Sequence, residues 1–313
     1  MIRQHRLVGS QSVCALGLGV GRVTEANARE AGRLLSAAVE HGITYFDISN
    51  RPESTERLVG AALRPHRDSV TLATKFGSRP RPGVLACATP AYVRAAAEQS
   101  LRNLGTDQID LYYLHRPDPG TPIAETLGAL DELVRAGKIR QIACSKFSAR
   151  QLREAHRAAG EGARFVAVEN HCSLLHADDE DDVLPLCAEL GIAYMPYWPL
   201  AAGLLTGKYR RGRPPPDGSR FATDRKWQPR AGDWLNDRNY DLIDRLTAWA
   251  SAHGHSLPEL AFGWLLAHRQ VGSVIVGASS PGQLSANVAA ASAWALSPAE
   301  LAEVTAMVRP GEG

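Results

Sequence analysis

The pattern that most constrains this chain is an alternation of short apolar, β-like runs with stretches of helical periodicity. The runs are residues 13–19 (VCALGLG), 43–47 (ITYFD), 70–75 (VTLATK), 109–115 (IDLYYLH), 139–145 (IRQIACS), 165–170 (FVAVEN), 192–198 (IAYMPYW) and 271–277 (VGSVIVG). A run with little alternation of its own is buried on both faces, and the intervening stretches repeat apolar residues every three to four positions, as amphipathic helices do. Strand then helix, repeated, dictates parallel strands joined by right-handed crossovers. Eight such units in a chain of 313 residues predict a closed (β/α)8 barrel, an α/β TIM barrel formed as a single domain over 1–313. The competing doubly wound sheet places GxGxxG after its first strand. Here GLGVG spaces its glycines as GxGxG, which a tight turn explains equally well.

Two segments fall outside the alternation. Residues 1–13 are expected to form a hairpin closing one end of the barrel. Residues 201–237, rich in Gly, Pro and Arg and carrying Trp227 and Trp234, form an insertion long enough to serve as a lid over the mouth. Ser297 is placed to cap a terminal helix over SPAELAEVTAMV.

Composition narrows the partners. A hydrophobic fraction of 44%, a charged fraction of 22% and a net charge of +2 describe an ordinary globular chain with no field to attract nucleic acid or an anionic membrane. The basic run Lys208, Arg210, Arg211, Arg213 is short and ends in three prolines, as a solvated loop or a local phosphate contact would. Cys14, Cys87, Cys144, Cys172 and Cys187 lack metal-like spacing and are expected as reduced, mostly buried thiols. With no leader-like or membrane-spanning run, the expected location is cytoplasmic, and no metal site is expected.

In a parallel barrel, the carboxyl ends of the strands line one mouth. Three of the runs end on Asp47, Lys75 and His115. Alone, each could be a helix cap, a surface charge or a satisfied core group. Together, an acid that holds an amine protonated and an imidazole beside them suggest proton-transfer chemistry.

With these residues in place, YFD, LATK, LYYLHRPD, GKIRQIACSKFS, AVENHCSLL, PYWPLAAGLLTGKYRRG and VIVGASSPGQLSAN together resemble, in order, the motifs of the aldo-keto reductases. The resemblance implies a barrel that binds NADPH and transfers hydride to a small-molecule carbonyl, or from the corresponding alcohol. It implies catalytic roles for Asp47, Lys75 and His115. It further implies cofactor contacts from Ser145, Lys146 and Glu169 at the nicotinamide end, from Tyr197 stacking on the ring, and from Leu200, Gly203 and Lys208 along the pyrophosphate. Gly277, Ser279, Ser280, Gln283 and Asn287 would hold the adenosine and its 2′-phosphate.

This chain departs from the family at three positions. The family's catalytic tyrosine is missing, because FDISNRPESTE replaces a longer loop of the form FDTAxxYGxGxSE. Lys146 and Glu169 stand where the family carries amides, and they could pair with each other, hold the carboxamide or fill the space of the ring. His171 would replace the lost acid only if its ring pointed inward. The proton is therefore expected from His115 or from a water held by Lys75. Redox-independent chemistry in the altered pocket (dehydration, isomerisation or cyclisation) and a non-catalytic NADPH sensor are the competing functions.

Overall fold

A computed structural model describes residues 4–50, 52–81 and 83–309. The chain opens with strands β1 (His5–Val8) and β2 (Gln11–Cys14), paired antiparallel as the expected hairpin. Arg6 fastens it to the base of the barrel by donating to His268 O at 2.9 Å and Val271 O at 2.7 Å.

The barrel strands are β3 (Leu16–Gly19), β4 (Tyr45–Asp47) and β5 (Thr71–Phe76), followed by an excursion through the hairpin β6 (Ser78–Arg81) and β7 (Val84–Ala86). Then come β8 (Ile109–Leu114), β9 (Ile139–Ser145), β10 (Phe165–His171), β11 (Ala193–Tyr197) and β12 (Val274–Val276). The eight close in chain order, β12 returning to β3 through the parallel pair Val274 and Leu16. Every residue of β5 and β8 is buried, the both-faces burial that their unbroken apolar runs predict. The apparent first strand at 13–19 is in fact split between β2 and β3, with Ala15 at the corner.

Helices α1 (Ala28–Glu40), α2 (Glu53–Leu63), α3 (Pro90–Leu104), α4 (Ile123–Arg135), α5 (Ala149–Ala158) and α6 (Val183–Leu190) return the chain between strands. The insertion at 201–237 is not a bare loop. It contains a 3-10 turn at Ala201–Thr206 and two one-turn helices, α7 (Arg220–Thr223) and α8 (Ala231–Trp234). Next come α9 (Asp237–Ala252), α10 (Leu257–Ala267), α11 (Pro281–Ala293) and α12 (Pro298–Val308). Ser297 caps α12 as its sequence predicts, accepting from Glu300 N at 3.3 Å. Four of the five cysteines are buried and all are free thiols.

Candidate active site

Register brings the chemistry to one level. Asp47 lies opposite Gly19 and Ala73, Lys75 opposite Tyr113, Ser145 opposite Glu169, and His171 opposite Tyr197. Side chains alternate across a strand, so Tyr45 and Asp47, or Tyr113 and His115, face the same way, one layer above the other. In the lower layer, the Tyr45 and Tyr113 hydroxyls bond each other at 2.9 Å and are wholly buried. In the upper layer, the three expected catalytic residues converge.

Lys75 is the hub. Its Nζ donates to Asp47 Oδ1 and to Ile48 O at 3.2 Å, and faces Glu169 Oε2 at 3.1 Å. Two of its N–H groups are thus hydrogen-bonded, and the Glu169 carboxylate adds an ion pair. Burial alone would depress this lysine, but Asp47 and Glu169 outweigh it and hold it protonated. Glu169 is only 4% exposed, and burial together with the nearby Asp47 pushes its carboxyl up to about 7 against the pull of Lys75 and Lys146. Sequence alone gave no signal that Glu169 would bridge to Lys75.

Among the described residues, Lys146 and Glu169 make no side-chain ion pair. They meet through the backbone, Lys146 N donating to Glu169 O at 3.1 Å. The ammonium of Lys146 instead donates to His115 O at 3.2 Å and Ser145 Oγ at 3.3 Å, and lies 5.5 Å from the centroid of the Tyr197 ring. Lys146 has φ of 62°, a left-handed conformation that is costly for a side-chain-bearing residue. Burial and the neighbouring cations Lys75 and Arg116 bring its amine down to about 8, with Glu169 and Asp47 opposing.

His115 is brought down to about 2 by burial and by Lys146, Lys75 and Arg116, so its ring is neutral. The neutral ring can donate one hydrogen bond. His171 does not replace the lost acid. It stacks on His176 at 4.1 Å, lies among Tyr197, Trp198 and Trp234, and is held down to about 3 by burial and His176.

A cavity of about 650 Å³ runs along Trp198, Leu200, Gly203 and Lys208 to Gly277, Ser279, Gln283 and Asn287. Arg22 and Arg220 also line it, two cations that the sequence did not single out. Gly203 has φ of 100°, and a Cβ there would stand 3.0 Å from Lys208 Nζ, so the turn requires glycine. Ser280 does not line the cavity; its hydroxyl caps α11 by accepting from Gln283 N at 3.2 Å. The cationic, partly apolar groove ending at a helix N-terminus fits a dinucleotide with its phosphates.

The comparisons agree with this geometry. The aldo/keto reductase family matches over residues 15–309. The chain belongs to this family. It is 34% identical over 284 aligned residues to a probable aldo-keto reductase 1 of Glycine max, covering 89% of this chain and 79% of that one. It is 31% identical to the L-glyceraldehyde 3-phosphate reductase of Escherichia coli O157:H7, covering 99% and 93%. Among solved structures, the holo form of aldo-keto reductase AKR11C1 from Bacillus halodurans superposes with a TM-score of 0.80 at 30% identity, covering 97% of this chain and 96% of that one. As a member of the family, the chain is an NAD(P)-dependent oxidoreductase acting on small-molecule carbonyl compounds. Among the described residues, no helix is long and apolar enough to cross a membrane.

Proposed function

We propose that this chain acts as one domain to reduce an aldehyde or ketone of a small molecule with NADPH, and runs the reverse oxidation when alcohol and NADP+ prevail. The observation that supports this best is the cationic groove that reaches the rim of the mouth at Trp198. Arg22, Lys208 and Arg220 line it, and Trp198 at its end meets the Tyr197 ring edge-on at 5.4 Å between centroids.

The cofactor, when bound, supplies the hydride. Lys208 and Arg220 would neutralise its pyrophosphate, and Ser279 with the N-terminus of α11 would meet the 2′-phosphate. Tyr197 offers a ring face to the nicotinamide. The buried Lys75 puts a fixed positive charge beneath the carbonyl oxygen, where negative charge develops, and Asp47 and Glu169 keep that charge in place. Neutral His115 would position the oxygen by a single hydrogen bond from its ring. The aromatic rings of the lid exclude water from the reaction.

Fluorescence titration tests the reading. NADPH is expected to bind more tightly than NADH, and Arg220→Ala to weaken NADPH by about 1.5–3 kcal/mol, the range for a charged hydrogen bond. That is roughly a tenfold to hundredfold rise in Kd. No NADPH binding to the unaltered protein would sink the proposal. Turnover that persists after all nicotinamide has been removed would favour redox-independent chemistry instead.

A further inference from the structure

Carbonyl reduction needs a proton at oxygen as hydride reaches carbon, and the segment from Asp47 to Glu56 contains no tyrosine to give it. The acids and bases around the mouth can be taken in turn. Lys75 is buried, bonded to Asp47 and Ile48 O and paired with Glu169, and its neighbours hold it protonated. Glu169 is sealed beneath, facing Lys75. His115 and His171 are neutral rings. Tyr45 and Tyr113 bond each other in the layer below, closed to the mouth. The Tyr197 phenol is pushed up by burial and by Glu169, and so holds its proton more tightly than an ordinary phenol.

Lys146 differs from all of these. It is half-buried on the rim, its ammonium held by His115 O and Ser145 Oγ with a third N–H unclaimed among the described residues. The left-handed backbone at this residue is a local strain of the kind that gathers at functional sites. We propose that Lys146 is the general acid of this barrel, giving the third proton of its ammonium to the oxygen of the substrate carbonyl.

This assignment rests on the NADPH reading above. The carbonyl carbon gains a C–H bond from the hydride of the reduced nicotinamide, and the C=O π pair moves onto oxygen. One N–H bond of Lys146 breaks as the O–H bond forms. The products are the alcohol, oxidised nicotinamide and a neutral amine, which takes a proton back from water at the rim. The charges around Lys146 suit this exchange. Glu169 on β10 and Asp47 on β4 favour the ammonium, while Lys75 on β5, Arg116 after β8 and burial oppose it. His115 and Tyr197, which also face it, are uncharged near neutrality. With its amine near 8, Lys146 is mostly protonated at neutral pH and gives up its proton far more readily than a surface lysine.

The test reads the amine directly. In protein whose lysines carry reductively added [13C]methyl groups, the Lys146 resonance, assigned by its loss in Lys146→Asn, should titrate near pH 8, well below the surface lysines. Glu169→Gln should move it lower still, because a carboxylate that favours the ammonium is gone. Asparagine tolerates left-handed backbone, so Lys146→Asn keeps the turn while deleting the acid. With 4-nitrobenzaldehyde and NADPH, kcat of the variant should fall by about two to four orders of magnitude. The unaltered enzyme should lose kcat as pH rises through about 8, and the variant should lose that limb. A Lys146 resonance that titrates with the surface lysines overturns the assignment, whether or not this aldehyde is turned over. So does unchanged turnover in Lys146→Asn, and both results leave the NADPH reading standing. Failure of NADPH to bind overturns that reading and this assignment with it.

Discussion

A single buried lysine stands between two carboxyl groups in the centre of the barrel. The Lys75 side chain is 4% exposed, those of Asp47 and Glu169 13% and 5%. Removing one partner of such a group leaves buried charge uncompensated, so Lys75→Met should cost about 3–5 kcal/mol in urea unfolding at neutral pH. The loss should shrink in acid. Glu169 is held above its ordinary 4.5, so the fold prefers its protonated form; that contribution is complete below about 4.5 and is lost as pH rises through about 7. Unfolding followed from pH 7 down to pH 5 should therefore narrow the gap between variant and wild type without closing it, since Asp47 has also lost its partner, and a gap that does not narrow would show that Glu169 bears no unpaired charge. At this scale the sequence made Asp47, Lys75 and His115 legible, since each ends an apolar run. Glu169 lies within its run and carried no such mark, and the neutrality of His115 depends on burial and on Lys146 and Lys75 from other strands, besides Arg116 next to it in the chain.

The elements are held by how closely their backbones approach. A Cβ at Gly60 on α2 would fall 2.2 Å from Leu104 O at the end of α3, so these helices touch where one residue has no side chain. Gly60→Ala should cost about 1–3 kcal/mol, the usual penalty of overpacking, read as a lower urea midpoint with little change in slope. A neutral outcome would mean that α2 can tilt freely. The barrel strands and long helices were readable because both-faces burial and the helical period are local signals. The hairpin of β6 and β7 was not, because a segment reading SRPRPGVLA has no alternation, and its pairing comes from closing on itself. The short helices α7 and α8 were hidden for the same reason: four residues carry no period, and packing decides their shape.

Over the whole molecule, the lid is fastened by aromatic contact and by charge. Trp227 meets Trp198 at 4.9 Å and Trp234 at 5.8 Å between centroids, with Arg220 over its face at 4.8 Å, while Arg211 pairs with Asp237 and Asp241. Each aromatic pair adds about 0.5–1.5 kcal/mol beyond its buried area. Trp227→Ala should thus speed hydrogen exchange across 201–237 by roughly tenfold or more, equivalent to about 1.4 kcal/mol of opening, while the barrel strands keep their protection. Unaltered exchange in the lid would show that its ion pairs suffice. The sequence by itself determined the barrel, the family and the level at which Asp47, Lys75 and His115 stand, because strand burial, helix period and strand ends are written locally. Only the tertiary structure decided which amine is occupied and which is free. Asp47 of β4, Ile48 after it and Glu169 of β10 gather around Lys75, His115 after β8 and Ser145 of β9 around Lys146, and no stretch of sequence contains those distances.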